Sequence, residues 1–404
     1  MTESRRLIWK YYAYRASSAA GFYLPVSILY LKDQGYSLAF IGLAQAVFSF
    51  ALLAAEIPSG YLGDRIGRRG SLALGNALRA TAMVAYVFAG SALGILVVKA
   101  VWAMGWAFRS GTQSAWLYEM LSSRFDESEY ARIDGRGSTV LLTTSGVGAV
   151  VGGLLYTVGT GLPFLVNAGL ATAGIVVLAT FPCVECENDA DDVFTVREAT
   201  QMLRVQVGRS EVRWFVAYAA LFAGLFGVTR TFEQPALDAA GVPVVGIGLL
   251  YAGFKAVSAV AASATGWLDD TLGIRSTFAL LVPAFAVTYA SVALTPLMLV
   301  PTLVLYRATQ TVLRPLQNQY LNDRLGDLGR ATVLSGVSMA LSLASGVAKL
   351  LGGAVAGSVG AVGVLPWAGL TVASLAGLLW LATSPVRDGG TKAGATATAP
   401  ADSD

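Results

Sequence analysis

The chain has no histidine, only two cysteines and little charge: 13% of its 404 residues are Asp, Glu, Lys or Arg. Without imidazole there is no His-based acid–base pair, no His metal ligand and no Ser-His-Asp triad. Cys183 and Cys186 are spaced C-x-x-C, and two thiols cannot complete a four-ligand zinc site. They read as a chance pair at a helix end, with a redox pair as the alternative. None of the six lysines follows a glycine, so the Gly-Lys-Ser/Thr ending of a Walker A loop is absent. No catalytic residue, metal or cofactor is expected, and no nucleic-acid partner. No cleavable signal peptide is expected either, because "MTESRRLIWKYYAYR" is polar and runs into a full-length apolar stretch.

Charge is scarce because apolar residues are plentiful. A soluble chain carries about 25% charged residues. Here 55% of residues are hydrophobic, and they fall in runs long enough to cross a bilayer as helix, about 20 residues each. The runs predict an all-α membrane protein with twelve spans. They lie near 9–31, 38–62, 71–90, 93–120, 137–160, 162–182, 213–236, 243–268, 276–295, 297–322, 331–358 and 361–384. With the N-terminus inside, 18 of the 28 basic residues fall in inner segments and Lys32 alone in an outer one. That bias predicts a multi-pass protein of the cell membrane with both ends cytoplasmic.

The longest polar break, 183–212, separates six spans from six. Thr195 and Glu198 form a capping box, and Val196, Ala199, Met202, Leu203 and Val207 then share one face. The pattern predicts a short helix on the cytoplasmic surface, with a disordered acidic linker as the alternative. The expected layout is a six-helix bundle over 1–182, the linker over 183–212, a second bundle over 213–385 and a disordered tail over 386–404.

The two halves resemble each other. "SGVGAVVGG" at 145–153 matches "SGVAKLLGG" at 345–353, and "GYLGDRIGRRGSL" at 60–72 matches "GWLDDTLGIRSTF" at 266–278. "FYLP" over "FEQP" sets Pro25 against Pro235. Two like halves of six spans imply a parallel repeat about the membrane normal, with a site near the midplane between them.

The stretch from Gly60 to Leu72 resembles the signature loop of the major facilitator superfamily, roughly G-x-L-a-D-R/K-x-G-R/K-R/K-x-x-L. Twelve spans, a long central break and a weaker second copy of the loop agree, and the resemblance covers about 9 to 384. It implies two pseudo-symmetric bundles that carry a small solute by alternating access, and export is favoured by analogy with relatives. A monomer in the lipid bilayer is expected, with protons as a candidate coupling ion. The alternative is a membrane sensor or scaffold that transports nothing.

The same resemblance implies a set of gating residues: Gly60, Asp64, Arg65, Gly67, Arg68 and Arg69 in the first loop, and Asp270 and Arg275 in its copy. Asp64 would meet the start of span 11 at Arg330 in the outward-open state, where a carboxylate favours a helix N-terminus. Arg68 or Arg69 would pair with Glu119. The mirrored pairs are Asp270 with the start of span 5 near Gly137 and Ser138, and Arg275 with Asp323.

Charges inside spans suggest function by default. The basic set is Arg15, Arg79, Lys99, Arg109, Arg230, Lys255, Arg307, Arg314 and Lys349; the acids are Glu56, Glu119 and Glu233. The positive excess argues for a hydrated cavity that tolerates anions. In the resembled family spans 1, 4, 7 and 10 line the path. That points to Tyr23, Lys99, Arg109, Gln113, Arg230, Glu233, Gln234, Arg307, Arg314 and Gln317. Glu233 is the acid left for proton coupling by elimination. Lys99 and Gly105 occupy the spacing of a family arginine and glycine, and lysine in place of arginine weakens the coupling role usual there. "GVGAVVGG" lacks the proline of the family's antiporter motif. Its Gly148, Gly152 and Gly153 are read as close-packing positions.

Overall fold

In hydrocarbon no water meets the backbone, so apolar runs of this length satisfy their own N–H and C=O groups as helix. The computed structural model describes residues 3–110, 112–122, 129–181, 210–325 and 330–387, and among these there are helices and turns but no strand. For a few of them, Asp64 and Glu119 included, only the backbone is described. The expected surface helix, both cysteines and the tail beyond 387 lie outside the described residues.

The elements follow the expected order. Span 1 is α1 (Glu3–Ser17) and α2 (Leu29–Asp33). Spans 2 and 3 are the two arms of α3 (Leu38–Phe88). Span 4 is α4 (Ala92–Ser110) with α5 (Thr112–Ser122), span 5 is α6 (Tyr130–Val158) and span 6 is α7 (Leu162–Ala179). Span 7 is α8 (Ser210–Ala239). Span 8 is α9 (Val244–Ser263) with the first turns of α10 (Thr265–Leu294), and span 9 is the rest of α10. Span 10 is α11 (Leu299–Asn322), and spans 11 and 12 are the arms of α12 (Arg330–Thr383). Nine described stretches are long and apolar enough to cross a membrane, and the one over Val333–Thr383 holds two passes. The interrupted span 1 and the Arg- and Gln-bearing α11 complete twelve.

The "GYLGDRIGRRGSL" stretch departs from a loop. Helix continues on both sides of one non-helical residue, Gly67, at φ 76° and ψ 156°. Only glycine adopts that region without strain. Gly60, by contrast, sits inside regular helix. Gly273 makes the same turn in α10 at φ 71° and ψ 162°.

The repeat is visible in backbone detail. Gly35 and Gly241 both have φ 83°. Gly35 N–H donates to Lys32 and Tyr36 N–H to Leu31, while Gly241 donates to Asp238 and Val242 to Leu237. These are matching left-handed glycine caps. Lys32 and Asp238 stand 206 positions apart. In that register Pro25 and Pro235 are not equivalent: Pro25 lies two turns before Lys32, Pro235 less than one turn before Asp238.

Span 1 is not one continuous helix. Residues 18–28 form turns between α1 and α2. Ser17 and Ser18 hydroxyls donate back to the Tyr14 carbonyl at 2.8 and 3.0 Å, and Pro25 has no N–H to extend a helix. Other helices satisfy the freed backbone. Arg79 donates to the Ser17 and Ser18 carbonyls at 3.3 Å each, and Asn167 to Ala19 at 2.9 Å. Tyr86 donates to Ser27 at 2.9 Å. Gln234 donates to the Leu24 carbonyl at 2.8 Å and accepts from Ile28 N–H at 2.9 Å and Leu29 N–H at 3.3 Å. Irregular backbone survives at membrane depth only when paired like this.

The small-residue face of α6 seats the unwound segment. A Cβ on Gly152 would stand 1.9 Å from the Phe22 carbonyl oxygen, and one on Gly21 would stand 1.9 Å from that of Ser145. Gly148 faces the Phe22 ring, and Gly153 faces Val244, Val245 and Gly248 of α9. Each of these glycines therefore allows a close approach of backbones.

Candidate functional site

The two halves leave a cavity of about 840 Å³ between them. Spans 1, 2 and 4 of the first half and 7, 8, 10 and 11 of the second line it. It reaches Phe215 early in α8, Leu321 late in α11 and Leu334 early in α12, all on the side of the bundle that carries the chain ends.

On the opposite side the halves touch. An ion pair joins Lys32 to Asp238, and within the first half the Tyr156 hydroxyl holds the neighbouring Asp33 at 2.6 Å. Gly42 of α3 and Gly353 of α12 meet so closely that a Cβ on either would stand under 3 Å from the other's Cα. A Cβ on Gly248 of α9 would stand 2.5 Å from the Ala149 carbonyl oxygen of α6. One hydrophobic cluster runs across this junction, taking Tyr30 and Ile41 from the first half and Leu237 and Ile247 from the second. The cavity therefore opens on one side and is sealed on the other.

A polar network sits in its second-half wall. Glu233 is 1% exposed and accepts one Arg307 nitrogen on both carboxylate oxygens, at 2.6 and 2.7 Å. The Tyr251 hydroxyl donates to the same carboxylate and accepts from the Gln234 amide at 2.9 Å. The guanidinium of Arg307 is framed by the rings of Tyr251, Phe254 and Tyr306 at 5.0–5.3 Å. Thus the Glu233 carboxylate is already paired, and Gln234 ties this network to the unwound part of span 1.

The first-half wall is aromatic and basic. Tyr23 packs on Trp102 with ring centroids 5.0 Å apart. Lys99 is 3% exposed, with its ammonium over the Tyr86 and Trp102 rings at 4.7 and 5.0 Å. Lys349 of α12 donates to Ser49 of α3 at 2.7 Å, across the junction of the halves.

Of the residues expected on the path, Tyr23, Lys99, Arg230, Glu233, Gln234, Arg307, Arg314 and Gln317 line the cavity. Arg109 and Gln113 do not. Arg109 is buried against Gly75 of α3, where a Cβ would stand 2.8 Å from its Cγ. Gln113 is half-buried on α5.

Among the gating set, Arg65 lies over the Tyr61 ring at 4.5 Å. Arg69 donates to the Phe181 and Ala179 carbonyls at the end of span 6, at 2.7 and 2.8 Å. Arg68 is half-buried, while Asp270, Arg275 and Asp323 are exposed. Next to Asp270, Asp269 accepts from Gln319 of α11 at 2.9 Å, and Ser138 accepts from Arg15 at 2.9 Å. The side chains of Asp64 and Glu119 lie outside the described set.

Sequence reasoning missed two things. Trp102 and Trp106 share one helix face with Lys99, and their i, i+3, i+7 spacing carries that signal. The role of Arg79, 1% exposed and bonded to the last carbonyls of α1, had no sequence signal, because its partners are backbone groups of another span.

Comparison with known proteins agrees with this architecture. A Bacillus subtilis protein described as an uncharacterized MFS-type transporter, YxaM, is 24% identical over 246 residues, 59% of this chain and 61% of that protein. An Arabidopsis thaliana protein described as "Probable anion transporter 3, chloroplastic" is 28% identical over 191 residues, 45% of this chain and 35% of that protein. The chain thus spans less than two thirds of each of these relatives. Among solved structures, the nucleoside transporter NupG superposes with a TM-score of 0.76 at 13% identity, covering 95% of this chain and 98% of that one. A D-xylose-proton symporter superposes with a TM-score of 0.71 at 13% identity, covering 93% and 96%. The model of the Major Facilitator Superfamily matches residues 14–327. With that match, two six-span halves and a one-sided cavity between them, the chain belongs to the Major Facilitator Superfamily.

Proposed function

We propose that the protein is a secondary or facilitative transporter that moves a small solute by alternating access, here open to the cytoplasm. The observation that carries this reading is the cavity between two like halves, open on the side of the chain ends and sealed on the other. The bias of 18 basic residues to one supports a cell-membrane protein whose open side and both chain ends face the cytoplasm.

Exposing the cavity to the other side requires the halves to rock. The Lys32–Asp238 pair and the Gly42–Gly353 contact then break, while the ends of α5 and α12 approach. Gly67 and Gly273 mark equivalent corners between rigid arms in the two halves. Asp64 is proposed to stabilise the opposite state through the start of α12, so Asp64→Asn slows transport without preventing membrane insertion. Wild-type rates in that variant exclude the gating role.

Proton coupling, where present, acts through Glu233, because protonation there releases Arg307 into the cavity. Substrate-driven pH changes are then lost in Glu233→Gln. The protein is expected to work as a monomer and to export its solute.

The experiment is solute flux into proteoliposomes, with a panel of solutes and with or without a proton gradient. Saturable flux that vanishes on disabling the cavity supports the reading. Folded protein that moves none of the solutes favours the sensor or scaffold alternative.

A further inference from the structure

We propose that the cavity binds a small organic anion, held by Lys99, Arg230 and Lys349 and packed on the rings of Phe48 and Trp106. Its role as cargo rests on the transport reading above; the binding site itself does not.

The charges lining the cavity do not balance. Five cations line it, Lys99, Arg230, Arg307, Arg314 and Lys349, against one acid, Glu233. That acid is taken by Arg307. Among the described residues no carboxylate lies within 4 Å of Lys99, Arg230 or Lys349. Lys99 has ring faces around it, and Lys349 has the neutral Ser49 hydroxyl.

The three cations also crowd one another. Lys349 acts electrostatically on Lys99, and Arg230 acts on Lys349. The Lys349 Cε lies 3.3 Å from where a Cβ on Gly227 would stand, and Gly227 is one helical turn before Arg230. Snorkelling does not account for Lys99, which is 3% exposed and lines the cavity wall. Buried charge of one sign is costly, and charge at membrane depth is normally paired. Aromatic faces offset part of that cost, and a counter-ion offsets the rest.

Unmet hydrogen-bond donors point the same way. Trp102 Nε1–H and Arg307 Nε–H are buried in the cavity wall with no acceptor among the described residues. A ligand rich in acceptors and negative charge satisfies both shortages. A sugar or nucleoside supplies acceptors without charge, and an organic cation is repelled.

The half-buried rings of Phe48 and Trp106, backed by the Tyr23–Trp102 pair, give the body of the ligand an apolar surface. The class is therefore a carboxylate or phosphate ester on a planar or apolar frame. Lys99 belongs to the first half and Arg230 and Lys349 to the second. A bound anion cancels repulsion between the halves and favours closure around itself.

The test is thermal unfolding of the full chain, purified in zwitterionic detergent, at constant ionic strength. The anionic probes are benzoate, citrate, adenosine monophosphate and inorganic phosphate. The others are uridine, xylose and tetraethylammonium, with chloride as the reference salt. At least one organic anion is expected to raise the melting temperature saturably. Arg230→Gln, at a side chain exposed in the cavity, should weaken that binding about tenfold or more. Lys99→Gln with Lys349→Gln should abolish it, and Arg132→Gln, paired with Glu129 away from the cavity, should bind as wild type. Stabilisation by inorganic phosphate alone contradicts the aromatic part of the site. The proposal fails if no anion stabilises the protein, or if Arg230→Gln and wild type respond equally. It also fails if uridine, xylose or tetraethylammonium binds and the anions do not; flux of that solute would leave the transport reading standing. An anion that binds by these criteria yet is not carried into proteoliposomes removes the transport reading and keeps the site.

Discussion

Replacing Glu233 by Gln keeps the shape of the side chain and removes the charge that holds Arg307. The carboxylate is 1% exposed and takes both bonds from one Arg307 nitrogen, together with the Tyr251 hydroxyl. Were these ordinary interhelical hydrogen bonds, the loss would be small, about 0.6 kcal/mol on average inside membranes. Removing one partner of a buried ion pair costs about 3–5 kcal/mol, because the other charge stays buried and unpaired. Arg307 is 15% exposed, to the cavity, so water relieves part of this. We expect about 2–4 kcal/mol for Glu233→Gln, below the full cost for a dry pair.

Arg307→Met should cost at least as much, since Glu233 then keeps only Tyr251. The double variant should cost less than the two singles together, by about 1–3 kcal/mol. Unfolding in mixed micelles of sodium dodecyl sulfate, followed by tryptophan fluorescence, measures all three. Additive singles, or a Glu233→Gln cost below about 0.6 kcal/mol, would refute the view that this pair ties span 7 to span 10.

Three further outcomes follow from the packing. Gly152→Ala should destabilise by about 1–3 kcal/mol, because its Cβ would meet the Phe22 carbonyl oxygen at 1.9 Å; Gly146→Ala, with nothing within 4 Å, should be neutral in the same unfolding assay. Gly67→Ala and Gly273→Ala should each cost about 1–3 kcal/mol through backbone strain alone, since open space surrounds both, and equal melting temperatures to wild type would contradict that. Lys32→Asp or Asp238→Lys alone should raise thiol-reagent access to a cysteine placed at Ser49 from the sealed side, and the charge-swapped double variant should restore protection; unchanged labelling in all three would remove that pair from the seal.

Much of the fold was legible along the chain, for a physical reason. Apolar runs of span length can only be helix in lipid, so the twelve passes and their order follow from periodicity and hydropathy. The repeat was legible through motif pairs, and the structure sharpened it to matched caps at Gly35 and Gly241 and matched corners at Gly67 and Gly273. The prolines are a different case: "FYLP" and "FEQP" look alike locally, yet the caps at the ends of spans 1 and 7 set another equivalence.

The site was legible as a set of residue types and less so as an arrangement. Arg109 and Lys99 are both cations of span 4, yet Lys99 lines the cavity and Arg109 packs on Gly75. Helix phase against neighbouring spans separates them, and phase depends on packing partners distant in sequence. Gln234 read as a substrate contact, and it also clamps the backbone of span 1 at Leu24, Ile28 and Leu29.

By itself, then, the sequence determined that this chain crosses the membrane repeatedly, in two related halves, with most of its positive charge on one side. Lipid and water impose those features residue by residue. Only the tertiary structure decided where span 1 breaks, which side of the cavity is closed and which cations face it. Those depend on Arg79, Asn167 and Gln234 finding freed backbone groups on another span, and on glycine faces letting the halves meet. They are long-range pairings, which no local pattern along the chain encodes.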